Sequence, residues 1–228
     1  MRFFNFFRYF LWRWKVKDGI LLTDKLKGMS SFDVIRILRR RLRIRKMGHA
    51  GTLDPLASGL LIIGVGKGTK KMREFLHLPK TYIIDVLLGK QTETGDMEGK
   101  VVAEKEVGEI SRDEVEKVLR SMEGEVGLRV PIYSALKLKG KPFYSYAREG
   151  ISIDLPKRKT QIFKLKFIDM RPEAKYFILK VEMDCGSGTY ARSVAEEIGR
   201  RLGYPATVKD LRRVKIGDYS VKNAVKFE

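Results

Sequence analysis

The chain has 228 residues, 43% of them hydrophobic, which is enough to bury a core and excludes a disordered chain. It carries 47 Lys and Arg against 28 Asp and Glu, a net charge of +19, so its expected partner is a polyanion, with nucleic acid favoured over an anionic membrane surface. One cysteine, Cys185, and two histidines, His49 and His77, leave no internal disulfide and no zinc-like spacing, and no long apolar run exists for an ordinary membrane span; the expectation is a cytoplasmic protein with no metal.

Residues 1–17, MRFFNFFRYFLWRWKVK, hold both tryptophans and no acid, with Phe3, Phe6, Phe7, Phe10 and Trp14 at helical spacing. Three readings stand for this segment: an interfacial membrane helix, an arm that binds RNA by stacking and charge, or a translation start placed too early. From Asp18 onward the sequence reads as one compact mixed α/β domain without repeats. GILLTD predicts a first strand. Ser30 with Asp33 has the form of a capping box, and Val34, Ile35, Leu38 and Leu42 predict a helix over about 31–43. LLIIGVG at 60–66 is a continuous apolar run, as in a strand buried on both faces, and YIIDVLLG at 82–89 reads likewise.

Ser111 with Glu114 predicts a second capped helix, with Val115, Val118, Leu119 and Met122 on its apolar face. Periodicity then lapses over about 124–154, and this stretch reads as an excursion from the sheet. It carries Tyr133, Phe143, Tyr144, Tyr146, Arg129, Lys137 and Arg148, and two readings stand for it: a surface that stacks bases and pairs phosphates, or a loop anchored by a few buried tyrosines. FKLKFIDM and FILKVEMDC alternate with period two and predict half-buried strands. A last helix places Ala191, Ala195, Ile198 and Leu202 inward. Strands clustered around helices favour a mixed sheet over a doubly wound parallel one. The scarcity of Asn and Gln beside many Lys, Arg and Glu is the bias of a thermophile.

Three stretches point to chemistry. No acid separates Asp33 from Asp54, whereas Arg36, Arg39, Arg40, Arg41, Arg43, Arg45 and Lys46 crowd the interval; an acid-free arginine run repels itself and gains from phosphates. GHAGTLDPLASG at 48–59 follows, where glycines permit a tight backbone and Pro55 biases Asp54 toward an extended conformation. Asp before Pro is by itself a common turn initiator. Beside a basic field, an ionised carboxylate also suits a nucleophile or a stabiliser of positive charge. Tyr82 heads an apolar strand, where its ring is a plain strand tyrosine or a surface for a base. In CGSGTYARSVAEEIG, Gly186 and Gly188 precede a helix carrying Tyr190 and Arg192, and an arginine there could hold a carboxylate bidentately. The spacing does not match a phosphate-binding Walker loop.

Together these stretches resemble the TruB family, whose members convert the T-loop uridine of tRNA (position 55) to pseudouridine. GHAGTLDPLASGLL is similar to the catalytic loop, KTYIIDVLLGKQTETGDMEG to the second motif, PIYSALKLKGKPFYSYAREG to the insertion, and CGSGTYARSVAEEIGRRLG with LRRVKIG to the last two. They cover most of residues 18–217 in family order. The resemblance implies the pseudouridine synthase fold, a central mixed and mainly antiparallel sheet flanked by helices, with a thumb-like insertion at about 124–154 that orders on RNA. It implies Asp54 as the nucleophilic carboxylate, Tyr82 stacked on the target uracil and assisting proton removal, and Arg192 paired with Asp54. His49 would help hold the flipped nucleotide, and Tyr190 and Leu211 would line the pocket. Arg39, Arg40, Arg43, Arg45, Lys46, Tyr133, Lys137 and Arg148 are the expected RNA contacts. The expected partner is the T-arm of tRNA, met by a monomer with no cofactor.

The chain departs from the family in showing Lys25, Leu26, Lys27 before Gly28, Met29, Ser30, Ser31, where the family has Lys-Pro before Gly-Met-Thr-Ser. It is expected to lack the C-terminal PUA domain, and residues 1–17 have no family counterpart. Two alternatives stand beside this reading, a guide-RNA-dependent pseudouridine synthase and a tRNA-binding folding chaperone.

Overall fold

The computed structural model describes residues 18–134 and 136–226; the aromatic and basic stretch at 1–17 lies outside the described residues. The chain divides into two compact units, Met1–Lys80 with Arg212–Glu228, and Thr81–Leu211.

The first unit is built on β3 (Ser58–Val65). β1 (Gly19–Lys25) pairs antiparallel with it along Gly59–Val65, and a two-residue strand, Val225–Lys226, joins the far edge of β1 in parallel. The other edge of β3 is shared: β2 (Met47–Ala50) pairs antiparallel with its end, and Arg212 and Arg213 of β12 (Ala206–Ile216) pair in parallel with its start. The continuous apolar run now has its cause. Leu61, Ile63 and Val65 pack with Val34, Ile35, Leu38 and Met47 under α1 (Ser31–Leu42), while Leu60 and Ile62 pack on the opposite face with Met72 and Phe75 of α2 (Met72–His77) and with Ile216. A strand covered on both faces must be apolar at every position.

Helix α1 starts where the sequence predicted. The Ser30 hydroxyl accepts from the Asp33 amide, the Asp33 carboxylate accepts from the Ser30 amide, and Arg43 closes the helix in the left-handed conformation.

The second unit orders β12, β4 (Lys80–Leu88), β11 (Tyr176–Cys185), β10 (Lys157–Glu173) and β7 (Gly124–Arg129) side by side. β5 (Lys90–Thr92) and β6 (Val101–Glu104) form a separate hairpin. Helix α3 (Arg112–Ser121) is capped by Ser111 and buries Val115 and Leu119. The long helix near the C-terminal end of this unit, Ala191–Leu202, buries Ala191, Ala195, Ile198 and Leu202 as predicted. A carboxylate ties these two helices: Glu197 accepts from Arg200 and Arg201, and Arg201 also reaches the carbonyl and hydroxyl of Ser121. Both units are thus sheets flanked by helices, in keeping with the α/β reading.

One boundary moves. The excursion predicted from about residue 124 begins later, because Gly124–Arg129 is a strand paired antiparallel with Lys157–Ile162. Val126 and Leu128 are buried and alternate as a strand requires; Gly124 and Gly127 hid that period in the sequence. The excursion proper contains a hairpin of β8 (Lys137–Leu138) and β9 (Lys141–Pro142), followed by α4 (Phe143–Arg148). The helix Ala191–Leu202 is α5 in this order. Lys139 and Gly140 at the hairpin turn both have positive φ, 49° and 82°, the combination of a tight two-residue turn.

Candidate active site

The loop that presents Asp54 is fixed at every flank by groups of the first unit. Upstream, the guanidinium of Arg213 donates to the carbonyls of Gly51 (3.0 Å) and Leu60 (2.8 Å), joining the two ends of the loop. Immediately before Asp54, the amide of Leu53 donates to the Ser31 hydroxyl at 2.9 Å, and that hydroxyl donates to the Leu53 carbonyl at 3.2 Å. Immediately after it, the Gly28 amide donates to the Pro55 carbonyl at 2.8 Å, with Lys25 Nζ a further 3.5 Å donor to the same oxygen. The Ala57 amide donates to the Asp54 carbonyl at 3.0 Å, so Asp54 does initiate a turn, with Pro55 in the second position that its fixed φ suits. The turn and the catalytic reading coexist, because the turn uses the backbone of Asp54 and leaves the carboxylate for other partners.

The segment in which the chain departs from its expected family pattern therefore has a definite task. Lys25 is buried and donates to the carbonyls of Leu26 and Met29, which closes the 25–29 turn and brings Gly28, with φ of 83°, onto Pro55. Behind the loop, Asp24 accepts a two-pronged pair from Arg212 at 2.7 and 3.0 Å. Gly59 is required by close approach: a Cβ there would lie 2.2 Å from the Arg213 carbonyl oxygen, and φ is +106°.

His49 stands on β2 opposite Ile63. Burial, and after it the nearby Arg213 cation, hold its imidazole below the ordinary 6.5, and its buried Nδ1 has no hydrogen-bond partner among the described residues. It is a neutral ring at physiological pH.

The arginine run divides by exposure. Arg40, Arg43, Arg45 and Lys46 are exposed, as a phosphate-binding face needs, and Arg36 is engaged with Asp33. Arg39, expected with them as an RNA contact, instead turns inward and donates to the Met47 carbonyl at 3.3 Å.

In the second unit, Tyr82 lies near the start of β4, on the same side of that strand as the buried Ile84, Val86 and Leu88. Tyr190 is the N-terminal cap residue of α5, and Arg192, only 5% exposed, is in its first turn. Two of the Arg192 N–H groups donate to backbone carbonyls, of Thr94 and of Tyr133, each at 2.9 Å. The Tyr133 carbonyl lies at the root of the insertion, so this arginine ties the insertion to α5. Leu211 is buried at the end of the unit. Lys137 and Arg148 are exposed on the hairpin and on α4. The rings of Tyr144 and Tyr146 are already faced by Arg148 and Lys141, 5.3 and 4.8 Å from the centroids, so part of the aromatic and basic alternation is spent within the insertion. A cavity of about 720 Å³ in this unit, lined by Arg129, Lys157, Glu196 and Arg200 among others, contains none of the sequence-predicted catalytic residues.

Ser31, Arg213 and the Asp24–Arg212 pair carry no functional signature in the sequence. Ser31 carries the only local signal, a hydroxyl just inside a predicted capping box. Arg213 stood in the sequence only as one of two adjacent arginines in the LRRVKIG stretch, with no role assigned to it. Among the described residues no group of three or more His, Cys, Asp or Glu is placed to hold a metal ion, and no helix is long and apolar enough to cross a membrane.

Comparison with known proteins is consistent across sequence and structure. Residues 39–191 match the profile of the TruB family pseudouridylate synthase N-terminal domain. The chain is 40% identical over 211 residues to tRNA pseudouridine synthase B of Endomicrobium trichonymphae, covering 92% of this chain and 90% of the relative. It is 44% identical over 211 residues to tRNA pseudouridine synthase B of Caldicellulosiruptor saccharolyticus, covering 92% and 71% respectively. Among solved structures, the archaeal box H/ACA sRNP Nop10-Cbf5 complex superposes with a TM-score of 0.65 at 21% identity, and a Cbf5-Nop10-Gar1 complex with 0.66 at 23%. Those alignments cover 92% and 93% of this chain but about half of the solved chains, 52% and 53%, and at that identity they establish the fold.

Proposed function

Because the chain belongs to the TruB family of pseudouridylate synthases, we propose that it isomerises the T-loop uridine of tRNA to pseudouridine in the cytoplasm, as a monomer and without a guide RNA. The observation that carries this reading is the Asp54 loop. Ser31, Gly28 and Arg213 hold its backbone on both sides of a single carboxylate, which is what a nucleophile needs if it is to meet a reacting carbon in one orientation.

In the proposed reaction the target base leaves the T-loop stack, since its glycosidic bond is out of reach inside the loop. Asp54 attacks, at the sugar C1′ or the base C6; the N1–C1′ bond breaks, the uracil turns, a C5–C1′ bond forms, and the bond to the Asp54 carboxylate is broken, which returns the carboxylate. The C5 proton is then lost and N1 gains one, so the product has the composition of the substrate and no oxidant, reductant or energy source is consumed. Tyr82 stacks on the uracil and assists removal of the C5 proton, and Arg192 supplies the cation for the Asp54 carboxylate. His49, neutral, helps hold the flipped nucleotide, Tyr190 and Leu211 line the base pocket, and Arg40, Arg43, Arg45, Lys46, Tyr133, Lys137 and Arg148 contact RNA.

The test is incubation of the pure protein, without other RNA, with unmodified tRNA and with an isolated T-arm hairpin, followed by mapping of pseudouridine. Conversion of the T-loop uridine in both is expected. Conversion only when a guide RNA is added would favour the guide-dependent alternative, and binding without conversion under any condition would favour a chaperone.

A further inference from the structure

The inward faces of α1 are accounted for by Val34, Ile35 and Leu38, yet the second residue of the helix, Phe32, is 54% exposed. A large ring left in water gives up the stabilisation that burial would bring, and the core does not use it. Its surroundings are organised. The Arg39 guanidinium lies 5.7 Å from the ring centroid, and Arg39 is itself held by the Met47 carbonyl at 3.3 Å, with its Nε buried and without a hydrogen-bond partner among the described residues. The half-buried cation is thereby shared between the ring and the start of β2.

Helical spacing places Phe32, Arg36 and Arg40 along one side of α1, and the exposed Arg43 caps its end, so the ring heads a run of cations. The head of that run is also the end nearest the candidate catalytic loop in bonded terms: Ser31, its neighbour, is hydrogen-bonded both ways to Leu53, one residue before Asp54. An aromatic face next to a row of arginines is the pairing that single-stranded RNA requires, one group for a base and the rest for phosphates.

We propose that Phe32 is a stacking platform for an unpaired base of the RNA substrate, a nucleotide other than the one isomerised, with Arg39 as the cation that backs the ring and Arg40 and Arg43 pairing the phosphates that follow. This rests on the reading of the protein as a tRNA-modifying enzyme. A cation against one face draws π density toward itself, which suits the open face to an electron-rich purine. Phe32 positions substrate and takes no part in bond making.

The test uses the full chain with Phe32→Ala, Phe32→Leu and Phe32→Trp, unmodified tRNA, and tRNA carrying 2-aminopurine at unpaired T-loop positions beside the target. Phe32→Ala and Phe32→Leu are expected to raise Kd and KM about 10-fold, with kcat within about twofold of the parent, because stacking contributes to binding and not to the chemical step. Phe32→Trp should restore affinity, and 2-aminopurine fluorescence should be quenched on binding by the parent and by Phe32→Trp only. Parent-like affinity in Phe32→Ala, or in Phe32→Leu, would overturn the proposal, as would equal loss in all three variants with a lowered melting temperature. If the parent bound tRNA but formed no pseudouridine, the functional reading would fall while the ring-dependent Kd and quenching still decided the stacking claim.

Discussion

Asp54 is defined by what holds its neighbours. Ser31 fixes Leu53, Gly28 fixes Pro55, and Arg213 fixes Gly51 and Leu60, so four carbonyls around one carboxylate are anchored by groups distant in sequence. Gly59→Ala tests how tightly this is built. Its Cβ would strike the Arg213 backbone, and the positive φ adds strain, so the substitution should cost about 3 kcal/mol or more, read from urea unfolding at neutral pH. His49 carries a pH dependence with a definite sign. Its folded pKa is depressed by burial first and by Arg213 second, so the unfolded chain binds a proton more readily than the folded one. The stability that depends on a neutral His49 is complete above 6.5 and is lost as pH falls below that value toward the folded pKa. His49→Gln should unfold with a flatter stability profile than the parent between about pH 7.5 and 5.5; an unchanged slope would remove His49 as its source. At this scale the sequence displayed the candidate carboxylate but not its supports. Ser31 and Arg213 act through tertiary hydrogen bonds to backbone, and backbone carbonyls have no residue signature.

Elements were legible where one period ruled. Helix α1 starts at its predicted capping box, and β3 was recognisable as a strand buried on both faces, because an unbroken apolar run too short for a helix that crosses a core fits little else. The strand Gly124–Arg129 was not recognised: two of its six residues are glycines, and only Val126 and Leu128 mark the buried face. The insertion that follows is a small hairpin and a six-residue helix, anchored to α5 through the bond from Arg192 to the Tyr133 carbonyl. Among its described residues only Val130, Ser134 and Phe143 are buried, so its backbone amides are expected to exchange quickly in the free protein. Binding of tRNA should slow exchange across residues 136–150 by about 10-fold or more if the insertion closes on RNA. Equal exchange with and without tRNA would show that the thumb-like segment does not engage the substrate.

At the scale of the molecule, charge dominates. A net charge of +19, with Arg40, Arg43, Arg45 and Lys46 exposed in succession, should make tRNA affinity fall steeply with salt, by about 10²-fold or more between roughly 50 and 200 mM monovalent salt. A shallow dependence, measured by filter binding, would mean that these cations do not meet phosphates. The charge excess was plain from composition, as was the class of partner. The division into two compact units was not, since no Pro- or Gly-rich linker marks the boundaries near Lys80 and Arg212 and the strands β4 and β12 run across them.

The proposed role of Asp54 is to perform the chemistry, and that of the rest of its loop is to present it. The most direct measurement compares the parent with Asp54→Asn on unmodified tRNA, scoring pseudouridine at the T-loop uridine and tRNA affinity in the same samples. Asp54→Asn is expected to retain affinity within a few-fold and to lose conversion by about 10³-fold or more. Conversion by Asp54→Asn at the parent rate would contradict that role.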